Sequence, residues 1–159
     1  MTQDLPMEFR LAAPADAGEI RDIVRAAYAR WVPVIGREPR PMVADYARAL
    51  REHRFDLLQG GPRILGLIET MLRADHLWIE NIAVRPEEQG KGLGRRLLAR
   101  AEHLAREAGR GELRLLTNAD FKDNVALYER TGYVITAREP FMGGTTVFMR
   151  KKLGDRRSR

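Results

Sequence analysis

Glycine stands at alternate positions in Gln89-Gly90-Lys91-Gly92-Leu93-Gly94, a spacing that lets main-chain N–H groups close on a ligand with no Cβ in the way. An apolar run from His76 to Val84 (Leu77, Trp78, Ile79, Ile82, Ala83, Val84) precedes the turn and reads as a central strand covered on both faces. Pro86 stops it. An amphipathic helix to about Ala108 follows, and its first turn leaves unpaired N–H donors and a partial positive charge at the same point. An anionic oxygen belongs there. A Walker-type loop is excluded because Lys91 is followed by Gly92 rather than Ser or Thr, and Gly90, Gly92 and Gly94 lack the Gly-x-Gly-x-x-Gly spacing of a dinucleotide turn.

What fits is Gln-x-x-Gly-x-Gly (Gln89, Gly92, Gly94) five residues beyond Val84, which resembles the acetyl-CoA-binding motif of the GNAT N-acetyltransferases. A second stretch, Leu127-Tyr128-Glu129-Arg130-Thr131-Gly132-Tyr133, resembles the Leu-Tyr-x-x-x-Gly-Phe/Tyr signature of the same family. The resemblance implies an α/β fold of the α+β mixed type with order β-α-α-β-β-β-α-β-α-β-β, a mixed, mostly antiparallel sheet and helices on both faces. It also implies that the strands at His76–Val84 and Leu113–Thr117 part at their ends to admit pantetheine, which pairs with main-chain groups at Ile82, Ala83 and Val84. Gly90, Lys91, Gly92, Leu93, Gly94 and Arg95 then take the pyrophosphate, Lys91 and Arg95 adding charge, while Gln89 contacts the carrier or fixes the loop.

Acetyl transfer to an amine needs a base for the ammonium, donors for the developing oxyanion and an acid for the departing thiolate. Glu80 is the expected base, since it is ionisable in an otherwise apolar strand where desolvation would raise its pKa. Its place also corresponds to a glutamate of polyamine-type members. By the resemblance Tyr128 is the acid, and the N–H of Ile82 or a neighbour is the oxyanion donor. Many members carry Asn seven positions before that Tyr, where this chain has Phe121; Asn124 is the candidate in its place, with Asn118 further back. The family's acceptor side maps onto Tyr28, Trp31, Val32, Ile35, Arg37, Arg40, Phe141 and Met142, aromatic and apolar walls beside arginines that suit an amine bearing an anionic group.

The expected activity is therefore acetyl-CoA-dependent N-acetylation of a small-molecule primary amine by direct attack in a ternary complex. Two rivals are a peptide or protein N-terminal acetyltransferase and a CoA-binding module without turnover. The partners expected are a small-molecule amine acceptor, with a homodimer admitted, no membrane and no nucleic acid.

Positioning these groups requires the rest of the chain. Phe9 to Leu11 reads as a strand, and Pro14 with Asp16 starts a helix in which Asp16 and Glu19 have capping-box spacing. Ile20, Ile23, Val24, Ala27, Tyr28 and Trp31 share its inward face. Val32 to Pro41 reads as an irregular connection before a helix from about Met42 to Glu52. Phe55–Gln59 and Ile64–Leu72 flank Gly60-Gly61-Pro62 as a hairpin; Leu113–Thr117 is the strand after the long helix, parallel to the His76 strand. A short helix over Asp123–Thr131 and a hairpin of Tyr133–Arg138 with Thr145–Lys152 close the chain.

The 159 residues suit one domain, 1–153, followed by a basic tail, 154–159. Of the formal charge of +6, residues 150–159 hold +5, so the excess reads as a solvated, poorly ordered end rather than a nucleic-acid footprint. With no cysteine there is no disulfide, thiolate metal site or cysteine nucleophile, and His53, His76 and His103 lack ligand spacing, so no metal is expected. No membrane span or signal-peptide core is evident, and a cytoplasmic location is expected.

Overall fold

Ile20, Ile23 and Val24 recur at helical spacing, and in the computed structural model, which describes residues 6–154, all three are fully buried on α1 (Ala17–Tyr28). Four further helices of the first half and middle follow: α2 (Val32–Ile35), α3 (Arg40–Val43), α4 (Tyr46–Glu52) and α5 (Leu93–Glu107). The last helix is α6 (Lys122–Arg130). Seven strands are β1 (Met7–Leu11), β2 (Arg54–Gly60), β3 (Arg63–Leu72), β4 (Leu77–Val84), β5 (Glu112–Asn118), β6 (Val134–Phe141) and β7 (Gly144–Lys152). They form one mixed sheet in the order β1-β2-β3-β4-β5-β7-β6, with β4 and β5 parallel and the β1/β2, β5/β7 and β6/β7 pairs antiparallel. The expected mixed α/β fold is the one observed.

Two compact units divide the chain, Met1–Glu69 with Asn81–Leu97, and Thr70–Glu80 with Leu98–Arg159. In the first, Ile20, Ile23 and Val24 pack with Tyr46, Phe55, Leu57, Ile64, Leu67 and Ala83. In the second, the β4/β5 ladder pairs Leu77 with Leu113 through Ile79 with Leu115, and β5 pairs with β7 along its whole length to Asn118. Leu77, Ile79, Leu113, Leu115, Val147 and Met149 are all buried there.

Local chemistry redraws several expected boundaries. Asp16 does not cap α1: its carboxylate accepts from the Ala13 N–H at 2.7 Å and from Arg10 at 2.8 Å, holding a one-turn 3₁₀ segment (Pro14–Asp16) ahead of the helix. Glu19 instead pairs with Arg85 at 3.2 Å. The helix expected from Met42 is broken, because Ala44 and Asp45 are extended; Asp45 restarts it as N-cap by accepting from the Arg48 N–H at 3.1 Å. Within the supposedly irregular Val32–Pro41 stretch lies α2, ended by Gly36 at φ 77°. Strand β6 runs three residues beyond Arg138, since Pro140 can pair through its carbonyl side with Thr145.

The basic end also divides. Lys151 is not a solvated tail residue: its Nζ donates to the Thr131 carbonyl at 2.7 Å and meets Glu102 at 3.1 Å. Arg156, Arg157 and Arg159, with the tail expected there, lie outside the described residues.

Gly66 on β3 leaves no room for a side chain, for a Cβ there would stand 2.8 Å from the Ala83 carbonyl oxygen and 3.4 Å from Leu97. Main chain cannot yield as a side chain can. Gly66→Ala is expected to destabilise the protein by about 1–3 kcal/mol, read from the urea midpoint; an unchanged midpoint would show that β3 and β4 separate freely at this point.

Candidate active site

The Gly-rich turn is assembled from its root. As β4 ends, the Arg85 N–H donates to the Leu65 carbonyl at 3.0 Å and its Nε to the Ile64 carbonyl at 2.6 Å, fixing the exit of the strand. Gln89 Nε2 then donates to the Val84 carbonyl at 3.2 Å, so this side chain spans the turn and holds it closed. That bond is the contact the loop-fixing reading of Gln89 requires. Gly90 and Gly92 have φ of 81° and 82°, with nothing within 4 Å of an added Cβ, so their requirement is conformational and the space beside them is open. Gly94 differs: it already lies in the first turn of α5 and is not among the glycines with positive φ.

The first helical bond closes from the Arg96 N–H to the Gly92 carbonyl at 3.2 Å. The amides of Leu93, Gly94 and Arg95 precede any intrahelical acceptor and face outward from the helix end. The side chain of Leu93 is buried, at 2% exposed, and so only its main chain is available to a ligand. Arg95 is exposed, as expected. Lys91 is committed in part, its Nζ lying 3.0 Å from Glu88 Oε2, and this bond, followed by the charges of Lys91 and Arg63, holds the Glu88 carboxyl below its usual range.

In the same unit Tyr28, expected to line the acceptor side, is hydrogen-bonded rather than a bare wall. Its hydroxyl donates to Asn81 Oδ1 at 2.9 Å and reaches the Ile82 carbonyl at 3.4 Å. Asn81 Nδ2 donates in turn to the Tyr46 hydroxyl at 3.1 Å, which donates to the Pro41 carbonyl at 2.7 Å. Trp31 is buried, with the Arg30 guanidinium 4.3 Å from its ring centre, while Ile35 and Arg37 are half-buried. Asn81, 4% exposed, went unnoticed in the sequence. An amide in an apolar strand, at the opposite parity to Glu80, was its available signal.

In the second unit Glu80 is exposed, and its Oε1 accepts from Trp78 Nε1 at 3.1 Å. The burial expected for this carboxylate is not found; strand alternation buries its neighbours Ile79 and Asn81 and turns Glu80 outward. Tyr128, on α6, is 7% exposed and packs edge-on to Tyr133 with ring centres 6.0 Å apart. Burial pushes the Tyr128 phenol up to about 12. The Tyr133 phenol is driven up further by burial, then by Glu102 and Tyr128, and its hydroxyl has no hydrogen-bond partner. The C-terminus of α6 is clamped: the Tyr133 N–H donates to the Tyr128 carbonyl at 2.9 Å and the Thr131 hydroxyl to the Leu127 carbonyl at 3.0 Å. Asn124 is half-buried on the helix, and Phe121 at its N-cap is buried. Among the described residues no group of three or more His, Cys, Asp or Glu side chains could hold a metal ion, and no helix is long and apolar enough to cross a membrane.

A strand, a turn with two left-handed glycines and a helix N-terminus can bind a diphosphate; an exposed carboxylate and a phenol kept neutral can move protons. The sequence model of the Acetyltransferase (GNAT) family matches residues 19–133. The L-amino acid N-acyltransferase MnaT of Escherichia coli is 34% identical over 68 residues, which are 43% of this chain and 40% of that protein's length. PaiA N-acetyltransferase of Thermoplasma acidophilum, solved in complex with coenzyme A, superposes with a TM-score of 0.80 at 18% identity, covering 93% of this chain and 99% of that one. The ribosomal-protein-S18-alanine N-acetyltransferase of Escherichia coli gives 0.77 at 20% identity, over 94% and 96%.

The Tyr128 phenol fixes a pH response. It titrates near 12 in the folded chain and near 10 when unfolded, so its contribution to stability is complete below pH 10 and is lost as pH rises from about 10 to about 12. That loss is at most about 2–3 kcal/mol. Urea denaturation across this window should show a shallower decline for Tyr128→Phe than for the parent; equal slopes would mean the phenol is not desolvated.

Proposed function

The chain belongs to the acetyltransferase (GNAT) family, and from that membership we propose that it is an acetyl-CoA-dependent N-acetyltransferase acting on the primary amine of a small molecule. One observation carries the reading: Gly90 and Gly92, at φ 81° and 82°, deliver the open first turn of a fifteen-residue helix immediately after β4. Those amides suit a diphosphate, and the open space beside both glycines suits close approach. Support comes also from the structural neighbour solved with coenzyme A and from the relative named an L-amino acid N-acyltransferase, matched over 40% of its own length.

Acetyl-CoA supplies the thioester carbonyl and a thiolate leaving group. The amides of Gly90 to Arg95 would take its diphosphate, with Lys91 and Arg95 adding charge, and the main chain of Ile82 to Val84 would pair with the pantetheine arm, Asn124 assisting. Glu80, exposed on β4, takes a proton from the acceptor ammonium directly or through one water, leaving the nitrogen pair free to form the new C–N bond. The C–S bond breaks as Tyr128 donates to the sulfur. A phenol raised to about 12 remains protonated across the working range, so that donor is always present, and the phenolate it leaves takes up the second proton that the acylated nitrogen sheds, while Glu80 returns the first to water.

Calorimetric binding of acetyl-CoA and thiol release against an amine library test the proposal. Tyr128→Phe is expected to lower kcat about 100-fold, and Glu80→Gln by a similar order, with the affinity for acetyl-CoA held within about threefold. No binding of acetyl-CoA, or full kcat in both variants, would overturn it.

A further inference from the structure

Directly before the Gly-rich turn, the 3₁₀ segment Pro86–Glu88 ends on a carboxylate that serves two cations at once. Glu88 Oε1 accepts from the Arg63 guanidinium at 3.0 Å, and Glu88 Oε2 accepts from Lys91 Nζ at 3.0 Å. Arg63 opens β3 and Lys91 stands between the left-handed Gly90 and Gly92, so one side chain links the β2–β3 hairpin to the turn. All of these groups belong to the first unit. The side chain of Glu88 is 15% exposed and that of Lys91 60%, which makes the anion the sheltered member of the pair.

Stability does not account for this contact, because an ion pair with so exposed a partner contributes little. The turn has other fastenings. Gln89 holds it to the Val84 carbonyl, and Arg85 fixes the strand end before it. What the contact does change is the charge that the turn can offer, since an ammonium seated on a carboxylate attracts a second anion less. Lys91, with Arg63 adding to it, holds the Glu88 carboxyl below its usual range, so the competing charge is present at neutral pH. Nothing lies within 4 Å of a Cβ at Gly90 or Gly92, which leaves the flexible stem of Lys91 room to swing away. Glu88 would then keep Arg63 on its other oxygen.

We propose that Glu88 is an internal competitor for Lys91: it holds the ammonium until the diphosphate of acetyl-CoA takes its place, and so keeps the affinity of the turn below what its amides and cations would give. The inference rests on the acetyl-transfer reading above and names a control of that same site. Coenzyme A keeps the diphosphate, so the same competition eases release of the product.

Calorimetry on the full chain at low salt, with acetyl-CoA as the probe, tests the competition. Glu88→Gln keeps the side-chain shape and removes its charge, and it should tighten binding about fivefold. Lys91→Met should weaken binding no more than about twofold in the parent but about tenfold in the Glu88→Gln background, so that Glu88→Gln has almost no effect once Lys91 is gone. Coenzyme A should show the same pattern. If Glu88 merely braced the turn, its replacement would loosen the amides and weaken binding, the opposite sign. Unchanged or weaker binding in Glu88→Gln therefore overturns the competition. Equal tightening with and without Lys91 overturns it too, by assigning the effect to plain repulsion between the carboxylate and the ligand. Either result, with the parent still binding, leaves acetyl transfer standing. Failure of the parent to bind acetyl-CoA removes the acetyl-transfer reading and this inference together.

Discussion

An α-helix cannot satisfy the amides of its own first turn, and the middle of this chain is built around that deficit. α5 closes its first bond at Gly92 and leaves the amides of Leu93, Gly94 and Arg95 without an intrahelical acceptor. Two glycines in the left-handed region turn the chain sharply enough to bring those donors up directly after β4. Gln89 and Arg85 then fasten the turn and the strand end to main-chain carbonyls, so the donors are held in place before any ligand arrives. Preorganisation of this kind spares a ligand the ordering of the loop.

The abundance of arginine serves the same economy. Arg10 meets Asp16, Arg25 meets Glu38, Arg63 meets Glu88 and Arg85 meets Glu19, so much of the positive charge is spent within the chain. Each exposed pair contributes little to stability. Buried charges matter more: Asp56 is fully buried against Arg54, and Glu69 accepts a 2.6 Å contact from His53, arrangements that would be costly if either partner were removed. Lys151 behaves likewise in the second unit, closing the end of α6 with Glu102 and Thr131. A cation at a helix C-terminus meets the favourable end of its dipole.

Asn81 joins two phenols within the first unit. One buried amide links the phenols of Tyr28 and Tyr46, and through Tyr28 reaches the Ile82 carbonyl. Because every member has a partner, the network fixes the positions of the elements it joins. Tyr28 is therefore tied to β4 through its hydroxyl, a contact that side-chain type alone does not reveal.

Most of the architecture was legible because it depends on periodicity and on glycine and proline. The strand of Leu77 to Val84, the turn after it, the helix of Leu93, Leu97, Leu98, Ala101 and Ala105, and the final hairpin all follow from patterns a single chain displays. Family membership was legible for the same reason, since a helix-opening turn constrains residue types at fixed spacing. Tertiary structure alone decided which side chains those elements leave free. Asp16 turned back to Arg10 and Ala13 because a carboxylate takes the nearest donors in space, and Lys151 turned inward because its register on β7 places it beside Leu113. Glu80 faces solvent while Asn81 is buried, a choice set by what packs on each face of β4. Spacing along a chain specifies local backbone; partners, burial and titration depend on neighbours brought near by folding, and these no one-dimensional pattern contains.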